Sequence, residues 1–274
     1  MNAAPCFFVQ TDYAEHLSAP VSEFARKYNY PLIERAAPAA FDAADCGVDW
    51  AGFSPVLPYG SAQFLRQLAK VPQLQQFVLF DEKKFSAAEW ETRLGPAMLN
   101  HSGGQVSASG ARALLSIGRY HIRPDAADNA FPARVFDRAS WADACAEHNL
   151  SEDVLCWVSP VQEIKREWRC WIVGGIVVEY CQYREGGKPA TSRKAPGTVF
   201  NFASRIASTW LPAASVVVDV AETAEGLKVV GFTPIHCAAW HCADISEVLA
   251  VWMGWARWYY SERAQVVSKL IGAA

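Results

Sequence analysis

The sequence predicts an α+β protein, with an α/β unit over residues 1–115 and a module of antiparallel hairpins over residues 116–274. Three observations carry this reading. Strand and helix signals alternate through the first part. Two apolar hairpins follow, one turning at Gly174-Gly175 and one around Thr223-Ala224-Glu225-Gly226. The chain then continues into a helical stretch, residues 244–261, that is apolar nearly all round.

In the first part, residues 5–9 form a short apolar run, read as the first strand. Residues 18–28 place Val21, Phe24, Ala25 and Tyr28 on one helical face. Residues 41–53, rich in Asp, Ala and Gly, read as loop with a weak strand. Val56-Leu57-Pro58-Tyr59-Gly60-Ser61 is an apolar strand ending in a Gly turn, and Ser61 is placed to cap a helix over 62–69. Residues 76–80 read as another strand. Ser86 with Glu89 three residues on reads as a capping box opening a helix over 86–94. Residues 99–109 are Gly/Ser-rich and read as loop.

In the second part, residues 118–123 alternate and stop at Pro124. Residues 134–136 form a short strand, a helix runs from near Ser140 through Glu147, and residues 154–158 form a buried-type strand closed by Ser159-Pro160. Residues 167–173 alternate with period two, which sets Glu167, Arg169, Trp171 and Val173 on one face. Gly174-Gly175 is a two-residue hairpin signal, and residues 176–183 return. Residues 184–194 carry Arg184, Lys188, Arg193 and Lys194 around Gly186-Gly187 and read as a mobile basic loop. A helix is expected over 198–210. Residues 215–221 pair with 226–232, and a turn near 225 sets Asp219 across from Gly231. Asp219 is a lone carboxylate among Val216, Val217, Val218 and Val220. A charge buried there without a partner is costly, so it calls for a partner or a metal. The helix over 244–261 is either core or a homodimer contact through its Trp and Tyr side chains.

Composition narrows the function classes. The 274 residues are 51% hydrophobic and 19% charged, which is the balance of a folded domain and not of a disordered chain. A net charge of −3 supplies no global attraction for nucleic acid or anionic membrane. Residues 1–13 lack the basic and apolar regions of a signal peptide, and the longest apolar run is interrupted by Gly174, Gly175 and Glu179, so a cytoplasmic protein is expected. The 8 cysteines form no CxxC pair and read as buried free thiols.

A set of short motifs occurs in a particular order: Tyr59-Gly60-Ser61, Leu99-Asn100, Ile122-Arg123-Pro124-Asp125, Phe131 with Val135-Phe136, Val158-Ser159-Pro160, Glu167-Trp168-Arg169, Gln182-Tyr183-Arg184, Asp219-Val220-Ala221-Glu222 and Cys242-Ala243-Asp244. In this the chain resembles the ATP-grasp proteins, within the clade named for two arginines and a lysine, from about residue 56 to about residue 250. The resemblance implies an ATP-grasp module with ATP between two sheets. Backbone groups of a linker strand at Cys156, Trp157 and Val158 would meet adenine, and Glu163 and Arg123 would belong to the nucleotide site. Arg169 and Arg184 would be the two catalytic arginines, facing phosphates or an acyl-phosphate. Asp219 would be the first magnesium ligand. The implied chemistry is phosphoryl transfer from ATP to a small carboxylate or peptide, followed by attack of an amine on the acyl-phosphate.

The chain departs from that pattern at three places. Asn129 stands where a lysine is expected. Gly231 and Thr233 stand where a glutamate and an asparagine would help hold magnesium, although Glu179 or Glu222 could substitute. The segment His236-Cys237-Ala238-Ala239-Trp240-His241-Cys242 could instead build a softer metal site with Asp219, or could be ordinary loop and helix-start residues. Two functions are therefore expected in competition: an ATP-dependent carboxylate–amine ligase, and a degenerate ATP-grasp protein that binds nucleotide or a partner protein without catalysis.

Overall fold

The computed structural model describes residues 3–37, 47–125 and 130–271. Asn129 lies outside the described residues. Three sheets organise the fold. The first is parallel: β1 (Ala4–Gln10) lies between β2 (Leu32–Arg35) and β3 (Phe53–Tyr59). Helix α1 (Glu15–Lys27) connects β1 to β2 and buries Val21, Phe24 and Ala25. Ser61 caps α2 (Ala62–Leu68) by accepting the Phe64 N–H at 3.2 Å, as its placement predicts.

Residues 76–80 do not form the predicted strand. Successive i to i+3 bonds, Leu74 N–H to Val71 O, Phe77 N–H to Leu74 O and Val78 N–H to Gln75 O, satisfy the backbone locally as 3₁₀ turns. Helix α3 (Ala87–Leu94) is capped by Ser86, which accepts the Glu89 N–H. The Glu89 carboxylate turns to Arg93 at 2.8 Å, so only half of the capping box forms.

The second sheet has four antiparallel strands in the order β4 (Gly104–Ser107), β7 (Leu155–Ser159), β5 (Tyr120–Pro124), β6 (Arg134–Phe136). Strand β4 lies within the Gly/Ser-rich stretch read as loop. Its order comes from pairing with β7, Gln105 opposite Trp157, a partner 52 positions away that local sequence does not reveal. Helices α4 (Ala108–Leu114) and α5 (Arg138–Glu147) cover this sheet around Phe131, Phe136 and Trp141. Asp137 and Ser140 form a complete capping box on α5.

The third sheet has five antiparallel strands in the order β10 (Lys188–Ser192), β9 (Ile176–Glu185), β8 (Arg166–Val173), β11 (Ser215–Thr223), β12 (Gly226–Pro234). Gly174 and Gly175, at φ +58° and +83°, turn β8 into β9. Gly186 and Gly187, at φ +54° and +76°, do the same between β9 and β10. The predicted mobile basic loop is thus largely a hairpin strand. One face of the sheet, with Trp171, Val173 and Val217, packs on the parallel sheet and on α7 (Ile245–Ile271). The other, with Trp168, Cys170, Ile172 and Val218, packs on α6 (Gly197–Thr209). Over residues 245–261, helix α7 buries Val248, Leu249, Trp252 and Met253 and leaves Val251 and Trp258 exposed. No described helix is long and apolar enough to cross a membrane.

Candidate functional site

The site is assembled by strand register. Arg169 on β8 pairs with Asp219 on β11, and Asp219 pairs in turn with Gly231 on β12, as the turn near 225 predicts. A residue pair directly opposite on adjacent strands shares one face, so the side chains meet. Arg169 Nε donates to Asp219 Oδ1 and Nη2 donates to Oδ2, both at 2.8 Å. The third nitrogen, Nη1, donates to the Ala239 carbonyl at 3.2 Å. The two side chains are only 12% and 14% exposed. Burial works against the Arg169 cation, but the Asp219 charge and its two hydrogen bonds outweigh it and raise the pKa above the ordinary arginine value.

Two residues back along β8, Glu167 pairs with Arg184 on β9. The Glu167 carboxylate is buried, and accepts from the Tyr183 hydroxyl at 2.7 Å and from Arg184 Nη1 at 3.1 Å. The Tyr183 ring lies between the two arginines, 5.7 Å from each guanidinium. Burial, with Asp219 and Glu167 next in effect, pushes its phenol pKa up. Sequence reasoning finds Arg169, Arg184 and Asp219 but misses that Glu167 and Tyr183 complete them. Equal spacing about Gly174-Gly175 would set Glu167 opposite Gln182, and two register shifts along the hairpin move its partner to Arg184, so spacing alone does not reveal the pair.

Arg123 joins the two antiparallel sheets. From β5 its Nη1 donates to the Val230 carbonyl on β12 at 2.8 Å. Its guanidinium lies over the Trp90 ring, 4.5 Å from the centroid. Its Nε is buried with no hydrogen-bond partner. Burial lowers its pKa to about 10, against the opposing pull of Asp125 and Asp219. A Cβ placed on Gly231 would lie 2.8 Å from Trp90 Cζ3 and 2.9 and 3.1 Å from Arg123 Nη1 and Nη2. The space a glutamate at 231 would enter belongs to Arg123 and Trp90. Trp90 has no sequence signal tying it to this site.

Other predicted residues fall as follows. Cys156, Trp157 and Val158 sit on β7 between β4 and β5, with Trp157 opposite both Gln105 and Arg123. Both edges of β7 are taken there, so the backbone contact to adenine expected at these residues has no open strand edge. Trp157 Nε1 donates to the Asn100 carbonyl at 3.1 Å, and burial pushes the Cys156 thiol up to about 12. Glu163 is exposed in the segment between β7 and β8. Thr233 is half-buried, opposite Val217.

The softer metal site does not form. His236 is buried, with Nδ1 at 2.8 Å from the Pro58 carbonyl and Nε2 accepting the Leu79 N–H at 3.0 Å, so both ring nitrogens are engaged. Cys237 and Cys242 thiols donate to the Pro234 and Gln182 carbonyls. His241 stacks on Tyr183 at 4.9 Å. Glu222 pairs with Arg166 on the opposite sheet face, and Glu179 with Arg193 and the Asp244 N–H, so neither carboxylate is free to join Asp219. Among the described residues no group of three or more His, Cys, Asp and Glu could hold a metal.

A parallel α/β unit followed by two antiparallel sheets that meet at arginine side chains is the architecture of ATP-grasp proteins. Residues 61–252 match the ATP-grasp domain in family 3 of the clade named for two arginines and a lysine, and the chain belongs to this family. Among solved structures it is similar to a RimK domain ATP-grasp protein from Sphaerobacter thermophilus, at 17% identity and TM-score 0.60, covering 93% of this chain and 98% of that one. It is similar also to D-alanine–D-alanine ligase from Bacillus anthracis, at 8% identity and TM-score 0.66, covering 95% and 100%. A third is the ATP-grasp ligase PsnB, solved with a phosphomimetic variant of its minimal precursor, Mg and ADP, at 11% identity and TM-score 0.56, covering 94% and 99%. No curated protein matches the chain.

Proposed function

We propose that this chain is a non-catalytic ATP-grasp protein, which keeps the junction of its two antiparallel sheets for binding a nucleotide and has lost carboxylate–amine ligation. One observation carries the reading: a side chain at 231, where the resemblance implies the second magnesium carboxylate, would run into Trp90 and Arg123. Magnesium wants oxygen ligands in a tight octahedron, usually carboxylates beside phosphates. The residues present do not fit it. Both Asp219 oxygens accept from Arg169, and Thr233 can offer only a hydroxyl. The transferred phosphoryl group would then lack the neutralisation that this chemistry needs.

The competing ligase reading rests on Arg169, Arg184 and Asp219. Arg169 is already paired with Asp219 and Arg184 with Glu167, which leaves neither arginine with a free net charge for an acyl-phosphate. For adenine, the open backbone of the segment after β7, which includes Glu163, is the better candidate than Cys156, Trp157 or Val158. The likeness to PsnB, solved with its precursor peptide, supports a peptide or small carboxylate as a second ligand.

The test is ADP release and hydroxamate formation from Mg-ATP, hydroxylamine and a pool of amino acids and short peptides. The expected rate equals that of the Arg169→Ala variant. ADP release that disappears in Arg169→Ala would overturn the proposal.

A further inference from the structure

We infer that the Arg123 guanidinium stands in for the missing metal, so that the site takes the phosphate chain of an anionic ligand without a divalent cation. This rests on the reading of the site as non-catalytic and adds to it a ligand class and a mode of binding.

Charge pairing sets Arg123 apart from Arg169 and Arg184. A magnesium ion between two carboxylates makes a neutral set. Here Arg169 neutralises Asp219 and Glu167 neutralises Arg184. Among the described residues Arg123 has no carboxylate within ion-pair distance, and only Asp125 and Asp219 act on it from further away. Asp125 is itself engaged, accepting the Ala88 N–H at 3.1 Å and the Gln105 amide. Both donors to Asp125 are neutral, so its charge still balances that of Arg123 from a distance, and Arg123 is the one of these three arginines held without a direct ion pair.

Position follows. The two terminal nitrogens of Arg123 lie 2.9 and 3.1 Å from where a side chain at 231 would begin, opposite Asp219 in the register. A cation is thus present in the space that a metal-binding glutamate would enter. Its plane is fixed by Trp90 on one side and by the bond to the Val230 carbonyl at 2.8 Å. Nη1 has one partner, and Nε is buried with none. Buried donors of this kind are normally satisfied, so an unmet one on a charged, held fork indicates an acceptor that arrives from outside the chain. The planar fork matches phosphate oxygens, which it can grip in two places.

Calorimetry of the full chain tests this, with ADP, tripolyphosphate and adenosine as titrants, in excess EDTA and in excess magnesium. ADP is expected to bind in EDTA within about threefold of its affinity in magnesium. Arg123→Met is expected to lose about tenfold or more, the loss typical of a charge-assisted bond, and Arg123→Lys less. Should Arg123→Met fail to fold, Gly231→Ala, whose Cβ displaces the fork, reads the same loss. Tripolyphosphate binding as tightly as ADP assigns the site to the phosphate chain, and tighter ADP assigns it to a nucleotide. Either supports the inference. Binding that requires magnesium, no binding of either phosphate compound, or an Arg123→Met variant that binds like wild type overturns it. ADP formation from ATP would remove the non-catalytic reading and leave metal-free binding standing. A magnesium requirement without turnover would do the reverse.

Discussion

Arg169 and Asp219 face each other across β8 and β11 and share two N–H···O bonds of 2.8 Å. The carboxylate for which the resemblance implies a metal is held here by a guanidinium. Removing either partner strands the other, nearly buried, without its counter-charge. Arg169→Met or Asp219→Leu alone should each destabilise by about 3–5 kcal/mol, and the double variant should recover most of it. Urea denaturation of the four proteins measures this. Strictly additive losses would mean that the pair does not act as one.

Gly231 makes a steric prediction. Its φ is not in the left-handed region, so space alone decides the outcome. Gly231→Ala should lower stability by about 1–3 kcal/mol through overpacking against Trp90 and Arg123. Adding Arg123→Ala in the same chain should return part of that loss. Thermal melting of the single and double variants checks it, and an unchanged melting temperature in Gly231→Ala would show that the space is open.

His236 makes a prediction about pH. Burial holds its folded pKa down at about 4, below the ordinary value of 6.5, despite the hydrogen bond to Pro58. The unfolded chain therefore takes up a proton near pH 6.5 that the folded chain refuses until about pH 4. Stability from this group is complete above pH 6.5 and falls as pH drops toward 4, by up to about 3 kcal/mol at about 1.4 kcal/mol per pKa unit. Half-buried His121, also held down at about 4, adds to the same slope. Denaturation curves from pH 7.5 to pH 4.5 measure it. His236→Gln, which removes the titration, should flatten the dependence, and an equally steep slope in that variant would assign it elsewhere.

Residues close in sequence make much of this legible. The hairpin about residue 225 puts Asp219 opposite Gly231, and the alternation of residues 167–173 puts Glu167 and Arg169 on one face, because strand period and turn position are local properties. What is not legible depends on distant partners. Strand β4 exists because Gln105 meets Trp157, and His236 is silent as a ligand because Pro58 and Leu79 take both its nitrogens. Arg123 and Gly231 are 108 positions apart. The sequence shows a glycine opposite Asp219, but only the fold shows that Trp90 and Arg123 fill the space beside it.

A protein guanidinium in the place of a metal should make the binding of ADP independent of magnesium. The most direct test is the melting temperature of the ADP-saturated chain before and after magnesium is added. A ligand that binds only the folded state must raise that temperature, by about 2–4 °C per kcal/mol for a chain of this size. The expected result is a clear shift with ADP in EDTA and less than about 1 °C more with magnesium. A further rise of several degrees with magnesium, lost in Asp219→Asn, would contradict the account.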